Sequence, residues 1–238
     1  MSRILNIETS SKTCSVALTA DGMVEYHVES DGEMEHAVKL GRYVSQALDE
    51  IARREMELDA VAVSAGPGSY TGLRIGMSMA KGICFAREIP LIAVPTLEVL
   101  AVKAMFGLRE PEGDEILIPM IDARRMEVYT AAYDFRLQPL LEPQAIILDE
   151  NSFADLLADH RCVFIGDGSA KARQLIKSPN AIFLSASDPL AMDMTALSEK
   201  FYREGRFADT AYATPFYLKE ANAVKSKNKV LCNNQTTY

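Results

Sequence analysis

The sequence predicts a duplicated α/β fold of two lobes, each with the element order βββαβαβα. Three observations lead there. The same succession of short apolar runs and helical repeats is readable twice, over residues 3–107 and again over 116–201. Each copy carries a glycine-rich turn after its fourth strand, Ser64-Ala65-Gly66-Pro67-Gly68 in the first and Gly166-Asp167-Gly168 in the second. The chain has 238 residues, 48% hydrophobic and 24% charged, which is enough for two modest cores and ordinary for a globular protein.

In the first copy, residues 3–8 read as a strand. Residues 13–20 read as a second, in which Val16 and Leu18 alternate with Ser15 and Thr19. Asp21-Gly22 is a hairpin signal, and residues 23–29 follow as a third strand with Val24, Tyr26 and Val28 on one face. Asp31-Gly32 breaks it. From about 34 to 54, Ala37, Leu40, Val44, Leu48 and Ile51 recur at steps of three and four, one face of a helix. A buried strand over 60–65, a helix to about 87, a strand over 91–94 and a helix opened by Pro95-Thr96 and ending near 107 complete the copy.

The second copy is looser. Strands are expected over 116–122, 126–134 and 139–148, and a short helix over 152–158 capped by Asn151 or Ser152. A strand over 162–165, a helix to about 177, a strand over 182–184 and a last helix marked by Leu190, Met194, Leu197 and Phe201 follow. The polar stretch 108–114 is the expected boundary, so 1–107 and 108–214 form the two lobes and 215–238 a terminal segment. A cleft between like lobes is a natural ligand site.

A net charge of −8 argues against gripping nucleic acid alone, because neutralising phosphates needs a basic surface. The one basic cluster, Lys219, Lys225, Lys227 and Lys229, precedes a polar tail. Cys14, Cys84, Cys162 and Cys232 are scattered without a CxxC pair, so reduced thiols in the cytoplasm are expected rather than a disulfide or metal framework. Neither a secretory leader nor a membrane span is expected, because no apolar run reaches the roughly 20 residues of a spanning helix.

Two candidate sites emerge. Glu8-Thr9-Ser10 sets an acid and hydroxyls at a strand end, a form that holds a phosphate or its metal and equally a set of turn formers. Gly166, Asp167 and Gly168 would let a base or ribose approach the backbone, though a strand-to-helix turn also needs glycine. If ATP or ADP binds, these two turns should line its site. The helix after Gly68 carries two stripes, one of Gly72, Gly76 and Ala80 and one of Ile75, Met79 and Ile83. Apolar residues around so much of a helix exceed what one-sided burial requires. One stripe can face its own sheet and the other a partner's helix. Periodicity leaves open which is which.

The stretches "ILNIETSSKTCSVAL", "AGPGSYTGLRIG" and "IDARRMEVY" together resemble the TsaB family, also called YeaZ, from the first strand to about Pro215. The resemblance implies the duplicated actin-like fold (ribonuclease H-like, the ASKHA class) shared with sugar kinases and Hsp70-type ATPases. It implies a part in making N6-threonylcarbamoyladenosine in tRNA, as a heterodimer with the catalytic paralogue TsaD and together with the ATPase TsaE. It also implies that tRNA is reached only through that complex. The paralogue carries an HxxxH metal pair on the helix after the fifth strand, where this chain has Thr96 and Leu100. A non-catalytic scaffold with no metal and no required cofactor is therefore expected. His36, with Leu40 four residues on, reads as a surface or capping histidine. The rival readings are an ATP-dependent phosphotransferase or ATPase and a metallopeptidase-like enzyme of the same superfamily. Leu40, Val44, Leu48, Gly72, Gly76 and Ala80 are expected to contact the partner or support its contact, with the same surface forming a homodimer when the chain is alone. On that basis Gly76→Leu should break pairing while leaving the chain folded.

Overall fold

A computed structural model describes residues 2–30, 36–185 and 187–219. The expected strand break at Asp31-Gly32, the first helix's start near residue 34, Cys232, and Lys225, Lys227 and Lys229 lie outside the described residues. The first lobe runs β1 (Arg3–Glu8), β2 (Ser15–Ala20), β3 (Met23–Glu29), α1 (His36–Arg53), β4 (Ala60–Gly66), α2 (Tyr70–Arg87), β5 (Leu91–Pro95) and α3 (Thr96–Gly107). The second runs β6 (Ile116–Asp122), β7 (Glu127–Tyr133), β8 (Pro139–Ile147), α4 (Ala154–Asp159), β9 (Cys162–Ile165), α5 (Ser169–Leu175) and β10 (Ala181–Phe183). A 3-10 turn (Ala191–Met194) then leads into α6 (Thr195–Arg203).

The two sheets have orders β3-β2-β1-β4-β5 and β10-β9-β6-β7-β8. Read from the other edge, the second repeats the first. In each, the opening strand pairs antiparallel with the second strand and parallel with the fourth. This is the duplicated two-lobe actin-like architecture.

Strand alternation decides which layer covers which face. Leu5, Ile7, Val61 and Val63 point to the core under α1 and α2, while Ile4, Ala60 and Ala62 point to the opposite core. In the second sheet, Ile116, Ile118 and Met120 face the α4–α5 side, and Leu117 and Ile121 face α3. Helix α3 is therefore covered on two sides, which is why it is apolar nearly all round. Its Val99 and Val102 pack on the first sheet, and Leu97, Leu100, Ala101 and Ala104 on the second.

Several local expectations change. The last helix follows the second lobe in chain order, but Met194, Leu197 and Phe201 return to the first sheet, beside Ile4, Ile92 and Val94. Val24 is exposed because the β2–β3 ladder shifts register between Leu18 and Thr19. Phe153, in a left-handed conformation, holds the N-cap of α4, while Ser152 bonds Asp149 instead. His36 is buried and its Nε2–H donates to the Ser11 carbonyl at 2.9 Å, pinning α1 to the β1–β2 turn. Cys14, Cys84 and Cys162 are buried free thiols, and no helix among the described residues is long and apolar enough to cross a membrane.

Candidate partner groove and inter-lobe cleft

Helix α2 opens on Ser69, whose Oγ accepts the Gly72 N–H at 3.2 Å, and closes on Glu88 in a left-handed cap. Its two stripes lie about 60° apart around the helix, and the small-residue one turns to its own lobe. A Cβ at Gly72 would collide with the Thr9 carbonyl, and one at Gly76 with Thr9 Oγ1. Ala80 is fully buried in the same core as Leu40 and Val44. Leu40, Val44, Gly72, Gly76 and Ala80, expected to contact the partner or support its contact, are thus inner residues placed to support a contact and not to make it, because the glycines let α2 sit against the β1–β2 turn of its own lobe. Leu48 differs. It reaches the outer side between α1 and α2.

The neighbouring stripe is only partly covered: Ile83 is buried in that same core, and Ile75 and Met79 are half-buried against it. Ile75, Met79 and Ile83 join Leu48 along a groove of about 700 Å³, with Arg74 and Arg87 among its lining residues. Gly82 lies in this groove, and a Cβ there would meet nothing within 4 Å. The same two helices expose Phe85 (83%) and Val38 (76%). The second lobe offers no counterpart of such length: α1 and α2 have 18 residues each, α4 and α5 have 6 and 7. An exposed apolar surface of this kind marks an interaction site.

At the cleft, Glu8 ends β1 fully buried, with Oε1 accepting the Ser10 N–H at 2.6 Å and Oε2 without a hydrogen-bond partner. Burial pushes its carboxyl up to about 7, against hydrogen bonds from Ser10 and Ser64 and with a further push from Asp193. Thr9 Oγ1 and Ser10 Oγ are buried without a hydrogen-bond partner. Asp167 accepts the Asp122 N–H at 2.8 Å and is raised by burial, aided by the charges of Asp188 and Asp122. Partial burial works against ionisation of Asp122, but Lys171 at 2.8 Å outweighs it and holds that carboxyl below its usual range.

The glycine turns are filled by the chain itself. A Cβ at Gly68 would meet Ser10, one at Gly166 would collide with the Met120 carbonyl, and one at Gly168 would press on Ile121 and Val128. Lys12 acts electrostatically on both Asp122 and Asp167, so the two strand-end turns do come together. What they assemble is an acidic set around close-packed backbone. These residues do not fit a polyphosphate, which needs free N–H groups and positive charge.

One feature was passed over in the sequence except as part of a motif. In the β6–β7 connection, Arg124 and Arg125 both have positive φ, 73° and 51°, and both are exposed. Outside glycine this costs about 1–2 kcal/mol per residue. Two consecutive arginines with no glycine are the signal that could have drawn attention to it.

Comparison with known proteins places these features in one lineage. A family model described as "TsaD: tRNA N6-adenosine threonylcarbamoyltransferase" matches residues 30–223. The tRNA threonylcarbamoyladenosine biosynthesis protein TsaB of Escherichia coli is 30% identical over 234 residues, 94% of this chain and 97% of that protein. The TsaB of Bacillus subtilis is 32% identical over 231 residues, 92% of this chain and 95% of that protein. The chain belongs to the TsaB family. The solved structure of YeaZ from Pseudomonas aeruginosa superposes with TM-score 0.73 at 30% identity, covering 92% of this chain and all of that one.

In this TsaB-family chain the two positions matched to the HxxxH pair are core residues. Thr96 opens α3 and Leu100 packs one turn later against the second sheet, both fully buried. Among the described residues, no group of three or more His, Cys, Asp or Glu is placed to hold a metal ion.

Proposed function

We propose that this chain is the non-catalytic scaffold subunit of the machinery that makes N6-threonylcarbamoyladenosine in tRNA. It pairs with a TsaD homologue through the α1–α2 groove and works with a TsaE homologue in the cytoplasm. Alone, it covers the same groove by forming a homodimer. The observation that carries this reading is the outer face of α2: an apolar groove with an open glycine. Family membership supplies the pathway.

The rival readings, an ATP-dependent phosphotransferase or ATPase and a metallopeptidase-like enzyme, lose support at the cleft. Its glycine turns are filled by the chain's own atoms, and the cations beside them, Lys171 and Lys12, act on the chain's own carboxylates. ATP or ADP is therefore not a required ligand, and tRNA is met within the complex.

Gly82→Leu tests the groove. Its Cβ enters open space, so the variant should melt like the wild type. A leucine in a close helix–helix contact should weaken TsaD pairing roughly ten- to a hundredfold, about 1–3 kcal/mol. A titration with the TsaD homologue and size-exclusion chromatography measure this. Pairing as tight as the wild type's would remove the groove as the docking surface.

A further inference from the structure

The β6–β7 connection holds its arginine pair in a fixed pose with its charge uncompensated. Asp122 Oδ1 accepts the Arg124 N–H at 2.6 Å, and the Glu127 N–H donates to the Arg124 carbonyl at 3.1 Å. Both neighbouring carboxylates are taken by other cations, Asp122 by Lys171 and Glu127 by Lys219. Among the described residues neither guanidinium has an ion pair or hydrogen bond, so two positive charges face solvent on a chain of net charge −8.

The C-terminal strap brings aromatic faces to the same rim. The Phe216 N–H donates to the Ala65 carbonyl at 2.7 Å, and the Tyr217 ring lies 5.0 Å from that of Tyr70. Arg74 sits over Tyr70 at 5.2 Å. Two residues after Tyr217, Lys219 reaches across to Glu127 on β7. Strap and hairpin are thus one continuous edge that joins the lobes.

We propose that this edge is an RNA contact: Arg124 and Arg125 engage backbone phosphates and the Tyr70–Tyr217 pair offers a stacking face to an unpaired base. Guanidinium forks suit phosphate oxygens, and unstacked RNA bases are commonly held on aromatic planes. An acidic protein would need the charges but not the paired tyrosines. The inference rests on the proposed function, because the chain is too acidic to hold RNA alone and meets tRNA inside the complex.

The test uses the complex reconstituted from this chain, its TsaD and TsaE homologues and a substrate tRNA. It compares wild type with R124A/R125A and R124K/R125K. The alanine pair should assemble normally, bind tRNA about tenfold more weakly near 0.1 M salt, and lower the slope of log affinity against log salt by about 1 to 2. KM for tRNA should rise with kcat unchanged, and the lysine pair should recover most of the affinity. Normal assembly with unchanged tRNA affinity and salt slope overturns the inference and leaves the scaffold reading intact. Loss of TsaE binding with tRNA affinity retained overturns it in favour of a protein contact. Failure of the wild-type chain to pair with TsaD overturns the proposed function and this inference with it.

Discussion

The β1–β2 turn and the β6–β7 turn occupy the same place in the two copies of the fold, and they have become opposites. The first begins at Glu8 and is folded inward: Thr9 packs on α2, the Ser10 carbonyl accepts the Ser69 N–H at 2.7 Å, and the Ser11 carbonyl holds His36. The second begins at Asp122 and points outward, presenting Arg124 and Arg125. Their acids titrate in opposite senses. Glu8 is raised by burial, so its contribution favours the folded state at low pH and fades as pH rises. Asp122 is lowered by Lys171, so its contribution is present above the ordinary carboxylate range and is lost as pH falls. One copy has spent its turn on internal packing and the other has kept it for a surface. Duplication supplies two equivalent positions, and burial decides which of them can still act.

Gly76→Leu should break the inward turn most severely. The side chain would enter the space of Thr9, and overpacking of this kind costs roughly 3 kcal/mol or more where backbone cannot move. A melting curve should show the loss first, before any change in partner affinity can be read. A variant that melts normally and fails only in pairing would mean that the glycine stripe faces outward after all.

Glu8→Gln sharpens the contrast between the two acids. Folded Glu8 titrates at about 7 and unfolded Glu at 4.5, so between these values the folded state binds more protons and stability falls as pH rises. Removing the charge should stabilise the protein by about 3 kcal/mol near pH 8, with little effect below the unfolded value. Denaturant midpoints across that window check it. A wild-type stability flat from about pH 4.5 to 7 would show that Glu8 stays ionised when folded.

Arg125→Gly is the smallest effect. Relieving the left-handed conformation should stabilise the fold by about 1 kcal/mol, the reverse of what losing a structural arginine would do. A rise in melting temperature measures it, and a fall would mean that the side chain holds the turn together.

Much of this was legible in advance for physical reasons. Alternation in β1 and β4 and three-four spacing in α1 are local patterns, and they set element type and order. The stripes of α2 were also local, and both were found. Their direction was not, because periodicity specifies the angle between faces and carries no sign. Gly72 and Gly76 mark an approach within the lobe, while Gly82 borders open space, since a small residue marks a close approach without saying whose.

The sequence by itself determined the duplicated order of elements, the two glycine turns, the missing histidine pair at Thr96 and Leu100, and the family. Tertiary structure alone decided that α6 crosses back to the first sheet, that Glu8 lies beyond the reach of water while Asp122 does not, and that Lys219 reaches Glu127 beside the arginine hairpin. The reason is common to all three. Which surface covers a residue is settled by elements far along the chain, and no local spacing encodes their arrival.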